Sequence, residues 1–141
     1  MNDSPAVATD GVLHACIAVA DLDAGIDWYG RILGFQSYQR HDYPEYGARV
    51  VYLRLRDIEL ELVETANPKP CRRDDPPAGH VALRGISQLS FRVTNMESTV
   101  KRLQSLDVAI DFGPLHAPEF NLKACFIRDH EENLIEFIER L

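Results

Sequence analysis

The chain has 141 residues, 45% hydrophobic and 26% charged, with a formal net charge of −7. That length suits one domain with room for a real core, and the composition is that of an ordinary soluble globule. The acidic balance supplies no cationic footprint, which excludes nucleic acid as the principal partner; it suits a cationic small molecule or a solvated surface. No stretch is long and apolar enough to span a membrane. Residues 1–11 lack the charged-then-apolar order of a secretion signal and are expected to be a flexible lead-in. The cysteines Cys16, Cys71 and Cys125 are odd in number and form no CxxC pair. They point to reduced thiols and a cytoplasmic setting, not to a disulfide framework.

Val12 to Val19 reads as a strand with His14, Cys16 and Ala18 on one face and Leu13, Ala15, Ile17 and Val19 on the other. Asp21 and Asp23 offer caps to a helix that turns Ile26, Tyr29, Ile32 and Leu33 inward, and Gly34 suits its left-handed end. A turn-rich piece follows, His41 to Gly47. Two strands come next, Ala48 to Leu55 and Ile58 to Val63, joined through Arg56 and Asp57. In the second of them Ile58, Leu60 and Leu62 alternate with Glu59, Glu61 and Val63, so one face is apolar and the other acidic. Residues 65–85 carry four prolines and mixed charges and are expected to be a linker or a surface loop.

The opening then recurs. Gln88 to Val93 repeats the layout of His14 to Val19, and Asn95 stands where Asp21 stood, both 74 residues on. Asn95 is placed to cap a second helix with Met96, Val100, Leu103 and Leu106 inward. Strands are expected over Lys123 to Asp129 and Leu134 to Leu141. In the last of these NLIEFIE mirrors IELELVE at an offset of 75. The sequence therefore predicts two copies of strand–helix–strand–strand–strand: module 1 over 12–64, linker 65–85 and module 2 over 86–141, in a single domain 12–141.

Packed as pseudo-symmetric halves, the copies would bring His14 and Gln88, on the first strands, toward Glu61 and Glu136, on the last. One imidazole, one amide oxygen and two carboxylates form a set suited to Zn²⁺, Ni²⁺, Co²⁺, Mn²⁺ or Fe²⁺. Taken singly, each has an ordinary structural reading as a core or solvent-facing group. His41, His80, His116 and His130 are expected in loops. Arg54, Arg92 and Lys123 are candidates to meet an anionic ligand, with solvent-facing strand charges the safer reading of all three. Tyr43 and Tyr46 could rim the site or simply pack as a loop, and Cys16 could line it or, more simply, be a core thiol.

The stretches HACIAVADLDAGIDWYGRILGF, IELELVE, GISQLSFRV and RDHEENLIEFIE resemble, in order and spacing, the signatures of the vicinal oxygen chelate superfamily. That group includes glyoxalase I, bleomycin-resistance proteins, methylmalonyl-CoA epimerase and extradiol dioxygenases. The resemblance implies an α+β fold of tandem βαβββ modules, whose mixed sheet curves into a cup around a divalent metal. It places the metal ligands at His14, Glu61, Gln88 and Glu136, with Glu61 and Glu136 as the proton-carrying groups. It implies a glyoxalase-like (lactoylglutathione-lyase-like) lyase or isomerase acting on an α-oxygenated carbonyl, with a small-molecule substrate and a homodimeric assembly. The alternative is a ligand-sequestering protein of the bleomycin-resistance type. Gln88 stands where many relatives hold histidine, which argues against the dioxygenases. Ala18 and Thr65 stand where glutathione-using glyoxalases often hold arginine and asparagine, which argues against a glutathione pocket.

Overall fold

Both halves begin with a short strand followed by a capped helix, and the caps are the ones the sequence offers. The computed structural model describes residues 6–70 and 75–141, so the expectations for Cys71 and the charged part of the linker lie outside the described residues. Strand β1 (Ala15–Val19) leads into α1 (Leu22–Trp28), whose Asp21 side chain accepts a hydrogen bond from the Ala24 amide at 2.9 Å. The helix widens into a π-turn over Tyr29–Leu33 and stops at Gly34, whose φ of 84° is one that side chains disfavour. Strands β2 (Gln36–Tyr43), β3 (Ala48–Leu55) and β4 (Ile58–Thr65) complete the first half. The second half repeats the order: β5 (Leu89–Arg92), α2 (Met96–Ser105) capped by Asn95, β6 (Phe112–Ala117), β7 (Leu122–Arg128) and β8 (Leu134–Arg140).

The two sheets have the same strand order, β1-β4-β3-β2 and β5-β8-β7-β6, with the first and last strands of each half parallel and the rest antiparallel. The fold is thus α+β and mixed-sheeted, as the resemblance implied, and it keeps the twofold element order that the repeat predicted. Even the turns repeat: the 3₁₀ turn Pro44–Tyr46 ends on Gly47 at φ 59°, and Pro118–Phe120 ends on Asn121 at φ 52°.

Three readings of the sequence are corrected. The first strand starts at Ala15, not Val12: pairing with β4 begins at Ala15↔Leu60, and Val12 and Leu13 are 93% and 74% exposed. His41 and His116 lie within strands β2 and β6, not in loops. Strand β2 is exposed along its whole length, so it carries no burial alternation to betray it. Lys123 pairs with Glu139, on the face turned toward α2. It therefore lies away from the acidic face that bears Glu136.

One core joins the halves. Leu22, Tyr29, Leu60 and Leu62 from the first half are buried with Leu103, Ile127, Ile135 and Phe137 from the second. The turn after β7 fastens the joint. Buried Asp129 accepts the Tyr29 hydroxyl at 2.7 Å, and the Glu131 carboxylate accepts the Ala20 amide at 2.7 and 2.9 Å. Gly25 is small where α1 crosses this joint, since a Cβ there would stand 3.0 Å from the Leu62 side chain and 3.4 Å from the His130 ring.

Candidate functional site

A strand separates residues three apart onto opposite faces, and the repeated Glu-x-x-Glu of β4 and β8 uses this twice. Glu64 and Glu139 face the helices. Each accepts the first helical amide of its own half: Leu22 to Glu64 at 2.7 Å and Met96 to Glu139 at 2.6 Å. These are anions at helix N-termini, where unsatisfied amides and the helix dipole favour negative charge. Arg49 holds Glu64 from the side through two hydrogen bonds of 3.0 and 2.8 Å. Those bonds, then the Leu22 amide, hold the Glu64 carboxyl below the ordinary range.

Glu61 and Glu136 face the other way, away from the helices, and each meets the residue just ahead of its half's first strand. His14 Nε2 stands 2.9 Å from Glu61 Oε2. Gln88 Nε2 donates to Glu136 Oε2 at 2.6 Å, and the Ser90 hydroxyl donates to the same oxygen at 2.6 Å. The four residues picked from the repeat are therefore joined as two equivalent pairs. Among the described residues, no three histidine, cysteine, aspartate or glutamate side chains stand as a group able to hold a metal ion. His14, Glu61 and Glu136 are themselves three such residues, so the two pairs are not gathered into one group, and a four-donor set would have to draw both pairs together and count the Gln88 amide oxygen. By donor chemistry the set fits a hard-to-borderline divalent ion: one imidazole, two carboxylates and one amide. Between the first strands of the two halves lies a cavity of about 270 Å³, lined by Cys16 from one side and Gln88 and Ser87 from the other.

The surroundings of the two pairs differ. In the first half the acidic face is open and aromatic: Tyr52 lies opposite Glu61, with its ring edge-on to His14 at 5.4 Å and 6.2 Å from Tyr38. Arg54 lies 4.1 Å over the Tyr38 ring and bonds Glu59 at 2.7 Å, so this candidate for an anionic ligand already has a partner. Tyr43 stands between His41 (4.5 Å) and Tyr46 (6.4 Å), and Tyr46 is 77% exposed, as a rim residue would be. Burial, then the charge of Glu61, pushes the Cys16 thiol up, so it stays protonated beside that carboxylate.

In the second half the same face is roofed. Phe126 and Arg128 stand 74 residues after Tyr52 and Arg54, yet the Arg128 side chain is 13% exposed against 52% for Arg54. The roof is the end of the linker. Arg128 donates to the Asp75 carbonyl at 3.1 Å, and the His80 ring lies 5.9 Å from that of Phe126. His80, in the 3₁₀ turn Gly79–Ala82, is 6% exposed, and its Nε2 stands 2.6 Å from Gln88 Oε1. Sequence reasoning passed over His80 because nothing in a proline-rich segment marks where it folds back. The one available signal was a lone histidine in the linker, between Gly79 and Val81. His130 packs instead against Trp28 and Tyr29, with ring centroids 6.2 Å from each, at the joint between the halves.

Comparison with known proteins agrees with this architecture. An ethylmalonyl-CoA/methylmalonyl-CoA epimerase from Cereibacter sphaeroides is 28% identical over 94 residues, which are 64% of this chain. The match spans 66% of that epimerase, just under two thirds of its length. A glyoxalase family protein from Enterococcus faecalis superposes with a TM-score of 0.74 at 22% identity, covering 92% of this chain and 98% of its own. The trypanothione-dependent glyoxalase I of Leishmania major gives 0.69 at 24%, covering 93% and 87%. The fosfomycin resistance protein FosX of Listeria monocytogenes, complexed with Mn(II) and sulfate, gives 0.68 at 11%, covering 95% of each chain. At such identities these three show a shared fold. The sequence profile of the Glyoxalase/Bleomycin resistance protein/Dioxygenase superfamily matches residues 11–137, nearly the whole chain, and the protein belongs to that superfamily.

Proposed function

We propose that this protein is a divalent-metal-dependent lyase or isomerase that moves a proton on the carbon beside a substrate carbonyl, with Glu61 and Glu136 carrying the proton. The observation behind this reading is the equivalence of the two glutamates, each held by the donor that opens its own half: Glu61 at 2.9 Å from His14 and Glu136 at 2.6 Å from Gln88. One carboxylate suffices to remove a proton. Two, supplied by opposite halves, allow removal on one side of the substrate and return on the other, as the inversion of a stereocentre requires. The similarity to an ethylmalonyl-CoA/methylmalonyl-CoA epimerase supports this chemistry and makes acyl thioesters the first substrates to try.

His14, Glu61, Gln88 and Glu136 would hold the ion, whether zinc, nickel, cobalt, manganese or iron. When bound it would act as a Lewis acid, stabilising negative charge on the carbonyl oxygen once the α-proton has left. The protein supplies the rest. Glu61 sits between the His14 imidazole and the protonated Cys16 thiol, which hold the carboxylate in place. The Ser90 hydroxyl steadies Glu136 in the same way at 2.6 Å. The open aromatic wall of Tyr38, Tyr43 and Tyr52 offers apolar area for the body of the substrate.

The test is exchange of the substrate α-hydrogen with solvent deuterium, followed by NMR over a panel of acyl thioesters, 2-oxo aldehydes and their thiol adducts. Exchange should occur only with metal present and collapse on addition of a chelator. Glu136→Gln should keep the metal and lose inversion by at least a hundredfold, leaving exchange on the one stereoisomer that Glu61 deprotonates, because an amide ligates but takes no proton. Tight binding of a small cationic ligand to metal-free protein, with no exchange on any of the panel, would instead establish the sequestering alternative.

A further inference from the structure

Gln88 is turned the wrong way for a ligand. Its Nε2 faces Glu136 at 2.6 Å and Ser90 at 3.4 Å, so it offers hydrogens where a metal ion needs a lone pair. Electrostatics enforces this: a bare carboxylate only accepts, so the amide presents N–H to it. A cation beside Glu136 reverses the demand. The amide must then rotate by half a turn, bringing Oε1 to the ion and Nε2 to where Oε1 was, against His80 Nε2, now 2.6 Å from that oxygen. A fixed donor at that place would oppose the rotation by leaving two N–H groups face to face.

An imidazole is not a fixed donor. With its proton on Nε2 it donates to Gln88 Oε1; with the proton on Nδ1, Nε2 accepts from the rotated amide. His80 Nδ1 is buried and, among the described residues, has no hydrogen-bond partner, so no second contact there fixes which nitrogen carries the proton. We propose that His80 is the positioning residue of the second half-site: a two-way hydrogen-bond partner whose change of tautomer lets the Gln88 oxygen turn to a bound divalent ion. This rests on the metal-dependent reading above and deepens it. It also gives a chemical reason for the asymmetry of the halves. His14 can turn its Nε2 from donor to acceptor by moving its own ring proton to Nδ1, whereas the glutamine at the equivalent place must rotate its amide against a partner, and the linker roof delivers one.

The probe is Zn²⁺, with affinity read by competition against a chromophoric chelator and tautomer read by ¹⁵N NMR of the His80 ring and the Gln88 amide. His80→Phe keeps an aromatic ring on Phe126 but cannot hydrogen-bond, and should lose roughly 10- to 100-fold in Zn²⁺ affinity. His80→Gln, whose own amide turns to donate or accept, should recover most of that loss, which a merely space-filling role would not predict. In the wild type the ring proton should sit on Nε2 without Zn²⁺ and on Nδ1 with it. Affinity of His80→Phe within twofold of wild type, or an unchanged tautomer on Zn²⁺ binding, overturns the inference while leaving the metal reading intact. A wild-type protein that binds neither Zn²⁺, Co²⁺ nor Mn²⁺ overturns both.

Discussion

Replacing Tyr29 with phenylalanine tests how the halves are fastened, because this one hydroxyl crosses the joint. Tyr29 is fully buried and donates at 2.7 Å to Asp129 Oδ2, itself in a residue only 4% exposed. Asp129 also accepts the Glu131 and Asn133 amides and the Asn133 side chain, each at 2.9 Å. Tyr29→Phe removes one hydrogen bond to a charged acceptor and little volume, so it should cost about 1.5–3 kcal/mol. Asp129→Ala removes every one of those bonds and strands the buried hydroxyl, and should cost about 3–5 kcal/mol. Because both changes remove the same contact, the double variant should be more stable than additivity predicts, by about 1.5–3 kcal/mol. Urea unfolding of the four proteins measures this, and thermal melts should shift by roughly 4 °C for each kcal/mol at this chain length. A coupling below about 0.5 kcal/mol would refute the reasoning: the hydroxyl would then be equally well satisfied elsewhere.

Gln88→Ala and Glu136→Ala should each lower metal affinity by roughly 10- to 100-fold, while His130→Ala, at the joint and not at the site, should leave it unchanged; elemental analysis after dialysis decides. Glu64 carries an acid-side stability term. Its folded pKa lies below the ordinary value of 4.5, so its contribution is complete above that pH and lost as pH falls through the folded value. Glu64→Gln should destabilise by about 1 kcal/mol at pH 7 and by progressively less toward pH 3, and parallel melting curves at all pH values would contradict this. A homodimer of twice the 16.0 kDa chain mass is expected by light scattering, because β1 and β5 are edge strands whose preceding residues Val12 and Ile86 are 93% and 89% exposed. A monomer at micromolar concentration would remove that expectation.

Much of the fold was legible because it is written twice. Asp21 and Asn95 cap equivalent helices, and the alternation in β4 placed Leu60 and Leu62 in the core and Glu61 on the opposite face. Strand β2 left no such trace, since QSYQRHDY is exposed along its length and its hydrogen bonds to β3 are made by backbone. The candidate role of Lys123 beside an anionic ligand falls away for a related reason: alternation tells which residues share a face but not which face a helix will cover.

By itself the sequence determined what depends on local order: two capped helices, the period of the repeat, and the glutamate and its first-strand partner in each half. These follow from hydrogen-bonding and hydrophobic periods that a short stretch contains. Tertiary structure alone decided how those pieces meet. It joined the four candidate residues as two pairs, fastened the halves through Tyr29 and Asp129, and folded the linker over one sheet but not the other. It also set His80 against Gln88, eight residues apart in the chain and 2.6 Å apart in space. A histidine in a proline-rich segment has no period to report its direction; only the close packing of that segment on Phe126 and Arg128 fixes where its ring points.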